Sequence, residues 1–142
     1  MLIPLINRLP KSFGSFLLVG GLGFLVDGVI LSVLVHIYDW GDFTARLISF
    51  VIAAFITWTL NRRHTFAANA SAKPGKEYSR YMAVQTFGSI INFSVYGICI
   101  ATIPIMDVWP ILALSVGVII QIPFTFIGMK KFVFNRREEE SE

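Results

Sequence analysis

Charge is scarce in this chain. Only 15% of its 142 residues are Asp, Glu, Lys or Arg, against 55% hydrophobic ones. Cysteine is nearly absent, so Cys99 alone excludes a disulfide framework or a cysteine-rich metal site within one chain, and it reads as a small buried hydrophobe. No nucleotide-binding loop, nucleophile triad, pair of catalytic carboxylates or metal-ligand cluster is visible, so neither an enzyme nor a cofactor or metal is expected. The basic segments are too short and too close to apolar runs to suggest nucleic-acid binding. The length allows one domain and leaves no room for a separate soluble catalytic one.

What is abundant is apolar sequence. The mean hydropathy is +0.68, too high for a soluble domain of this size, and it points to an integral membrane protein. A spanning helix needs roughly 20 mostly apolar residues. Four runs qualify: about Phe13–Tyr38, Phe43–Leu60, Arg80–Ile103 and Val108–Gly128. The first does not read as a signal peptide, because it is too long and carries Asp27 where an h-region is uncharged. Asp39-Trp40-Gly41-Asp42 and Pro104-Ile105-Met106-Asp107 are short joints, and short joints make antiparallel neighbours. The fold class expected is therefore an all-α membrane protein of four transmembrane helices, arranged as two helical hairpins in one domain.

The charges predict sidedness. Arg8, Lys11, Arg62, Arg63, Lys73, Lys76, Arg80, Lys130, Lys131, Arg136 and Arg137 all fall on the side of the termini and the middle loop. The two short joints hold Asp39, Asp42 and Asp107 but no Lys or Arg. The positive-inside rule then puts both termini and the middle loop in the cytoplasm. Residues 67–79 read as a flexible cytoplasmic linker, Leu2–Pro10 as a stretch at the membrane surface, and 135–142 as a charged, solvated tail.

One phrase occurs twice. The second run ends in Thr57-Trp58-Thr59-Leu60-Asn61-Arg62-Arg63-His64-Thr65-Phe66, and the fourth in Thr125-Phe126-Ile127-Gly128-Met129-Lys130-Lys131-Phe132-Val133-Phe134. The offset is 125 − 57 = 68 residues, and residues 12–66 align on 80–134 without a gap, Gly20 meeting Gly88. Helix ends, acidic joints and basic exits all coincide. Each half holds two spans, so both halves have the same orientation and form a parallel repeat. Each phrase puts a basic pair at a helix exit, followed by a β-prone aromatic tail.

The second span of each half carries small and polar residues at i+4 spacing: Ala45, Ser49, Ala53, Thr57, Asn61, and Ala113, Gly117, Gln121, Thr125, Met129. Such faces let membrane helices approach closely. They are expected to meet each other or a second subunit near the pseudo-twofold axis.

Five sets of residues bear on function. Arg62, Arg63, Lys130 and Lys131 are ordinary topology signals on the bland reading. Their recurrence in both halves favours a second reading, capture of an anionic headgroup by charge-assisted donors, with Asn61 adding an amide. Asp27, midway along the first span, must face protein or water, as a polar point on a path or as a structural hydrogen bond to Gln85, Asn92 or Arg46. Gln85, Asn92 and Gln121 are interhelical glue or polar lining. Arg46 is expected to snorkel, with pairing to Asp42 or Asp27 as the alternative. Pro123 should kink the fourth span.

The stretch Phe16-Leu17-Leu18-Val19-Gly20-Gly21-Leu22-Gly23 with Asp27, the run from Ala45-Arg46 to Thr57, and the exit Asn61-Arg62-Arg63-His64-Thr65-Phe66 resemble the GtrA-like membrane proteins over about residues 12–135. The resemblance implies a small four-span protein of the cytoplasmic membrane that translocates a polyprenyl-phosphate-linked sugar for cell-surface polysaccharide synthesis. Related domains are membrane parts of some polyprenyl- or dolichyl-phosphate glycosyltransferases. Asn61, Arg62, Thr65 and Phe66 match the family's first exit motif, and Lys130 and Phe134 the second. Met129 departs from it, so the halves should differ in function. On this reading Arg62, Arg63, Lys130 and Lys131 capture the phosphate, while Asp27, Gln85, Asn92 and Gln121 line a polar path for the sugar. The expected partners are the lipid-linked sugar, membrane lipids, a glycosyltransferase and a second copy in a homodimer. The competing readings are a non-transporting anchor for a glycosyltransferase and a small cation exporter, the latter opposed by the basic exits.

Overall fold

The computed structural model describes residues 10–135, so the expectations for residues 2–9 and for the tail beyond residue 135 lie outside the described residues. Regular structure among them is entirely helical: α1 (Lys11–His36), α2 (Asp42–Leu60), α3 (Pro74–Thr102), the short α4 (Pro104–Val108) and α5 (Pro110–Gly128). α2 runs on into a π-helical turn, Asn61–Thr65, and α5 into another, Met129–Val133. A single 3-10 turn, Ala67–Asn69, follows the first. Four segments are long and apolar enough to cross a membrane: Lys11–His36, Thr44–Thr65, Pro74–Thr102 and Leu112–Val133. Large apolar side chains such as Leu18, Phe24 and Phe93 stand exposed along them, as suits helices whose outer faces lie in lipid.

The described residues form two compact units that divide between Ala70 and Ser71. In the first, α1 packs on α2 and its π-turn; in the second, α3 packs on α5 and its π-turn, with α4 between them in sequence. α1 ends at a reversal through Asp39, whose φ of 52° lies in the left-handed region that a short Asx side chain tolerates. The N–H of Trp40 then donates to the carbonyl of Leu34 at 3.0 Å and closes the helix end.

Close approach in the first unit depends on Gly23. A Cβ there would collide with Cγ2 of Thr57 on α2. In the second unit Gly88 does the same work, since its Cβ would lie 2.8 Å from Thr125 Oγ1 and 2.9 Å from Gln121 Nε2. Around these contacts Ala45, Ser49, Ala53 and Thr57 are buried in one unit, and Ala113, Gly117 and Thr125 in the other. Without a hydrophobic force between helices in lipid, contact of this kind is what holds a hairpin together.

Three features add to or alter the expectations. The small-residue stripes contact the first long helix of their own hairpin, Thr57 against Gly23 and Thr125 against Gly88. A stripe shows that a close partner exists but not which helix it is. The glycine contact also departs from the aligned pair: Gly20, which aligns with Gly88, has open space beyond it, and Gly23 makes the contact instead. Third, α3 starts at Pro74, six residues before the expected Arg80. Proline suits a first helical position. The fully buried Glu77 also accepts the N–H of Ser71 at 2.6 Å and ties the preceding loop to the helix. A hydropathy window overlooks such a start because its first turn is polar.

Candidate functional site

The two exits have the same backbone. The N–H of Asn61 is shared between the carbonyls of Thr57 and Trp58, and that of Met129 between Thr125 and Phe126. Five residues on, Phe66 N–H donates to Asn61 O at 2.8 Å and Phe134 N–H to Met129 O at 2.9 Å. Each bond therefore spans one residue more than an α-helical one. Turns closed by such a bond are common at helix C-termini, where they satisfy the last carbonyls. Here they replace the expected β-prone tails. The aromatic residue does not leave the helix end as a strand; it folds back, and both Phe66 and Phe134 are buried.

Local threonines prepare both turns. Thr57 Oγ1 donates to the carbonyls of Ala53 and Ala54 at 3.0 and 3.1 Å, and Thr125 Oγ1 to that of Gln121 at 3.0 Å. This back-bonding meets the hydroxyl's need inside an apolar span and loosens the turn that follows. At the far end of the first turn the hydroxyls of Thr65 and Ser15 lie 2.9 Å apart, which pins the exit to the start of α1.

The wider turn sorts the polar residues. Asn61 is only 2% exposed and Met129 is fully buried, so the leading position of each turn faces protein. The Asn61 amide is thus enclosed within its hairpin, where a headgroup cannot reach it without movement. Arg63, Lys130 and Lys131 are exposed. Arg62 is half-buried, its guanidinium carbon 5.8 Å from the ring centre of the buried Trp58, within cation–π range. Phe55 backs that indole with its ring centre 5.5 Å away. Arg62 is therefore the most constrained of the four exit cations, and its equivalent Lys130 has Phe126 in place of the tryptophan.

The path residues separate. In the first unit Asp27 pairs with Arg46, Nη1 to Oδ2, so Arg46 turns inward to α1 instead of snorkelling. Its contact is one of the two alternatives that the sequence leaves open. In the second unit Gln121 lies on the Gly88 contact, and Asn92 Nδ2 would stand 2.9 Å from a Cβ at Gly117. Gln85 reaches back along α3, its Nε2 3.4 Å from the hydroxyl of Tyr81. All three amides are half-buried. Glu77 is the residue that sequence reasoning missed. Counted with the linker, it is instead fully buried. The signal was present in Pro74-Gly75-Lys76-Glu77, a proline opening a helix with an acidic residue in its first turn. No group of three or more His, Cys, Asp or Glu suited to a metal occurs among the described residues.

Four helices long and apolar enough to cross a membrane, with polar residues held inside each hairpin, define a multi-pass α-helical membrane protein. A family model described as "GtrA/DPMS, transmembrane domain" matches residues 15–140, and the chain belongs to that family. No curated protein and no solved structure matches it.

Proposed function

We propose that this protein translocates a polyprenyl-phosphate-linked sugar across the cytoplasmic membrane, for use in cell-surface polysaccharide synthesis. The observation that carries the reading is the repeated basic exit. Two equivalent helix exits each present a basic pair at one register, Arg62-Arg63 and Lys130-Lys131, beside a buried aromatic residue. A lipid phosphate is matched by clustered cationic donors, and an arginine held by an indole loses less freedom on binding than a loose one. Both termini face the cytoplasm on this reading, which places the exits where the lipid-linked sugar is made. Gln85, Asn92 and Gln121 offer amide donors and acceptors to the sugar while the prenyl chain stays in lipid. On this reading the protein works as a homodimer. The protein itself carries out no bond chemistry.

The test is translocation in proteoliposomes. A polyprenyl-phosphate sugar is loaded on one face, and its arrival at the other is read by accessibility to an impermeant glycosidase. Wild-type protein should move it, and Arg62→Ala/Lys130→Ala should not. An inactive wild type that still captures a membrane glycosyltransferase would replace this reading with that of an anchor.

A further inference from the structure

The Asp27–Arg46 pair is not explained by packing alone. Arg46 lies in the fifth position of α2, at the end of the span opposite the basic exit. The separation from Arg62 is 62 − 46 = 16 residues, or about 24 Å of helix. Its side chain is 54% exposed although it sits within an apolar span, whereas that of Asp27 is 14% exposed. A guanidinium carries five N–H donors. Among the described residues Arg46 spends one nitrogen, Nη1, on Asp27. On the other side of the pair Asp27 Oδ1 is buried and accepts no hydrogen bond among the described residues.

Neither partner is saturated. A structural ion pair in hydrocarbon is tolerable when further hydrogen bonds satisfy its remaining atoms. This pair leaves a carboxylate oxygen without a donor and most of a guanidinium fork open. It balances charge, which makes the empty state of the span affordable. It does not complete the hydrogen bonding of the cation.

We propose that Arg46 is a second phosphate-binding station, at the far end of the same helix, and that Asp27 is its resident counter-ion. This rests on the translocation reading and deepens it. A phosphate that leaves the exit cations must be met by positive charge near the opposite surface, or it loses its electrostatic stabilisation in transit. Arg46 meets it with open N–H groups in a planar fork that fits phosphate oxygens. Asp27 competes for the same guanidinium. The station is therefore neutral when empty, and the returning carboxylate displaces the phosphate so that the lipid is released. Exchange of one anion for another at Arg46 needs no covalent step.

Binding and transport give separate readouts. The binding arm starts from a variant lacking the exit cations, Arg62→Ala/Arg63→Ala/Lys130→Ala/Lys131→Ala, examined by native mass spectrometry with undecaprenyl phosphate, phosphatidylglycerol and inorganic phosphate. Residual undecaprenyl phosphate should remain bound. Adding Arg46→Gln should cut it by about tenfold or more, the scale of hydrogen bonds to a charged group. Adding Asp27→Asn instead should raise it, by removing the competitor. Inorganic phosphate retained as well as the lipid would support the station and make the free anion its ligand; retention of the lipid alone makes the headgroup its ligand. No residual binding, or binding indifferent to Arg46→Gln, overturns the proposal. So does phosphatidylglycerol held as well as undecaprenyl phosphate.

The double variant Asp27→Asn/Arg46→Gln removes both charges together and guards against misfolding. It should melt near the wild type yet bind no phosphate at this station. Recovery of both stability and transport in it would reduce the pair to a structural strut. In proteoliposomes Asp27→Asn should slow release at the far face, and Arg46→Gln should stop transport. A wild type that does not transport defeats the translocation reading while the binding arm still decides the station.

Discussion

The N–H of Phe66 closes on the carbonyl of Asn61 at 2.8 Å and widens the last turn of α2 where the basic pair begins. The bond holds Phe66 inside the hairpin, as the matching bond holds Phe134. Truncation at either place should unseat the turn. Phe66→Ala and Phe134→Ala are each expected to cost about 3 kcal/mol, at the lower end for a buried phenylalanine. Thermal unfolding in detergent measures it, and Phe132→Ala, exposed on the second turn, is the control that should change little.

Gly23 permits contact with Thr57, whereas a Cβ at Gly20 would meet nothing within 4 Å among the described residues. Gly23→Ala should therefore destabilise the first hairpin by about 1–3 kcal/mol through overpacking. Gly20→Ala should be neutral or slightly stabilising, since alanine is the better helix former. If the steric account is right, Thr57→Ser restores much of the loss in Gly23→Ala, because it removes the methyl group that the new Cβ meets.

Trp58 holds the guanidinium of Arg62 over its ring. Replacing it with Leu keeps the site apolar but removes the ring quadrupole, a loss of about 0.5–1 kcal/mol at a partly exposed site. Binding of undecaprenyl phosphate should weaken by about two- to fivefold, the same energy read as affinity. Titration of the purified protein in nanodiscs measures it. Weakening should vanish in an Arg62→Ala background, where the ring has no cation to hold.

Glu77 accepts the N–H of Ser71, and Ser71 Oγ accepts that of Lys73 at 2.9 Å, so the loop before α3 is fastened to the helix. Glu77→Ala removes the acceptor and should cost about 1–3 kcal/mol for the donor left behind. Trypsin should cut faster after Lys76, which the wild-type fastening protects. Unchanged cleavage would mean that the carboxylate does not secure the loop.

The predicted sidedness is open to direct labelling. In a Cys99→Ala background, Ala72→Cys and Trp40→Cys place single thiols at exposed positions on the two expected faces. An impermeant maleimide added to intact cells should reach residue 40 and not residue 72. The reverse pattern would invert the topology and move the basic exits to the outer surface.

Much of the architecture was legible in the residues because a bilayer imposes few solutions. Length and apolarity located four spans, with α2 and α5 ending at Leu60 and Gly128 as expected. The Thr57 and Thr125 phrases marked two equivalent exits, and both became π-turns of the same five-residue step. What the residues did not reveal was the turn itself. Asn61-Arg62-Arg63-His64-Thr65 has no local signature for an i+5 bond; the burial of Phe66 and the approach of Ser15 to Thr65 accompany it.

Hydropathy, charge bias and the 68-residue offset thus determined, from the sequence by itself, a membrane protein of two similar hairpins with paired cations at their exits. These are properties of composition and order, and they survive without knowing any contact. Tertiary structure decided which atoms meet: that Gly23 rather than Gly20 admits Thr57, that Arg46 turns to Asp27, and that Glu77 is buried instead of solvated. Each depends on how one helix is rotated and shifted against its neighbour. A stripe of small residues allows several such registers, and the packing of both helices selects one.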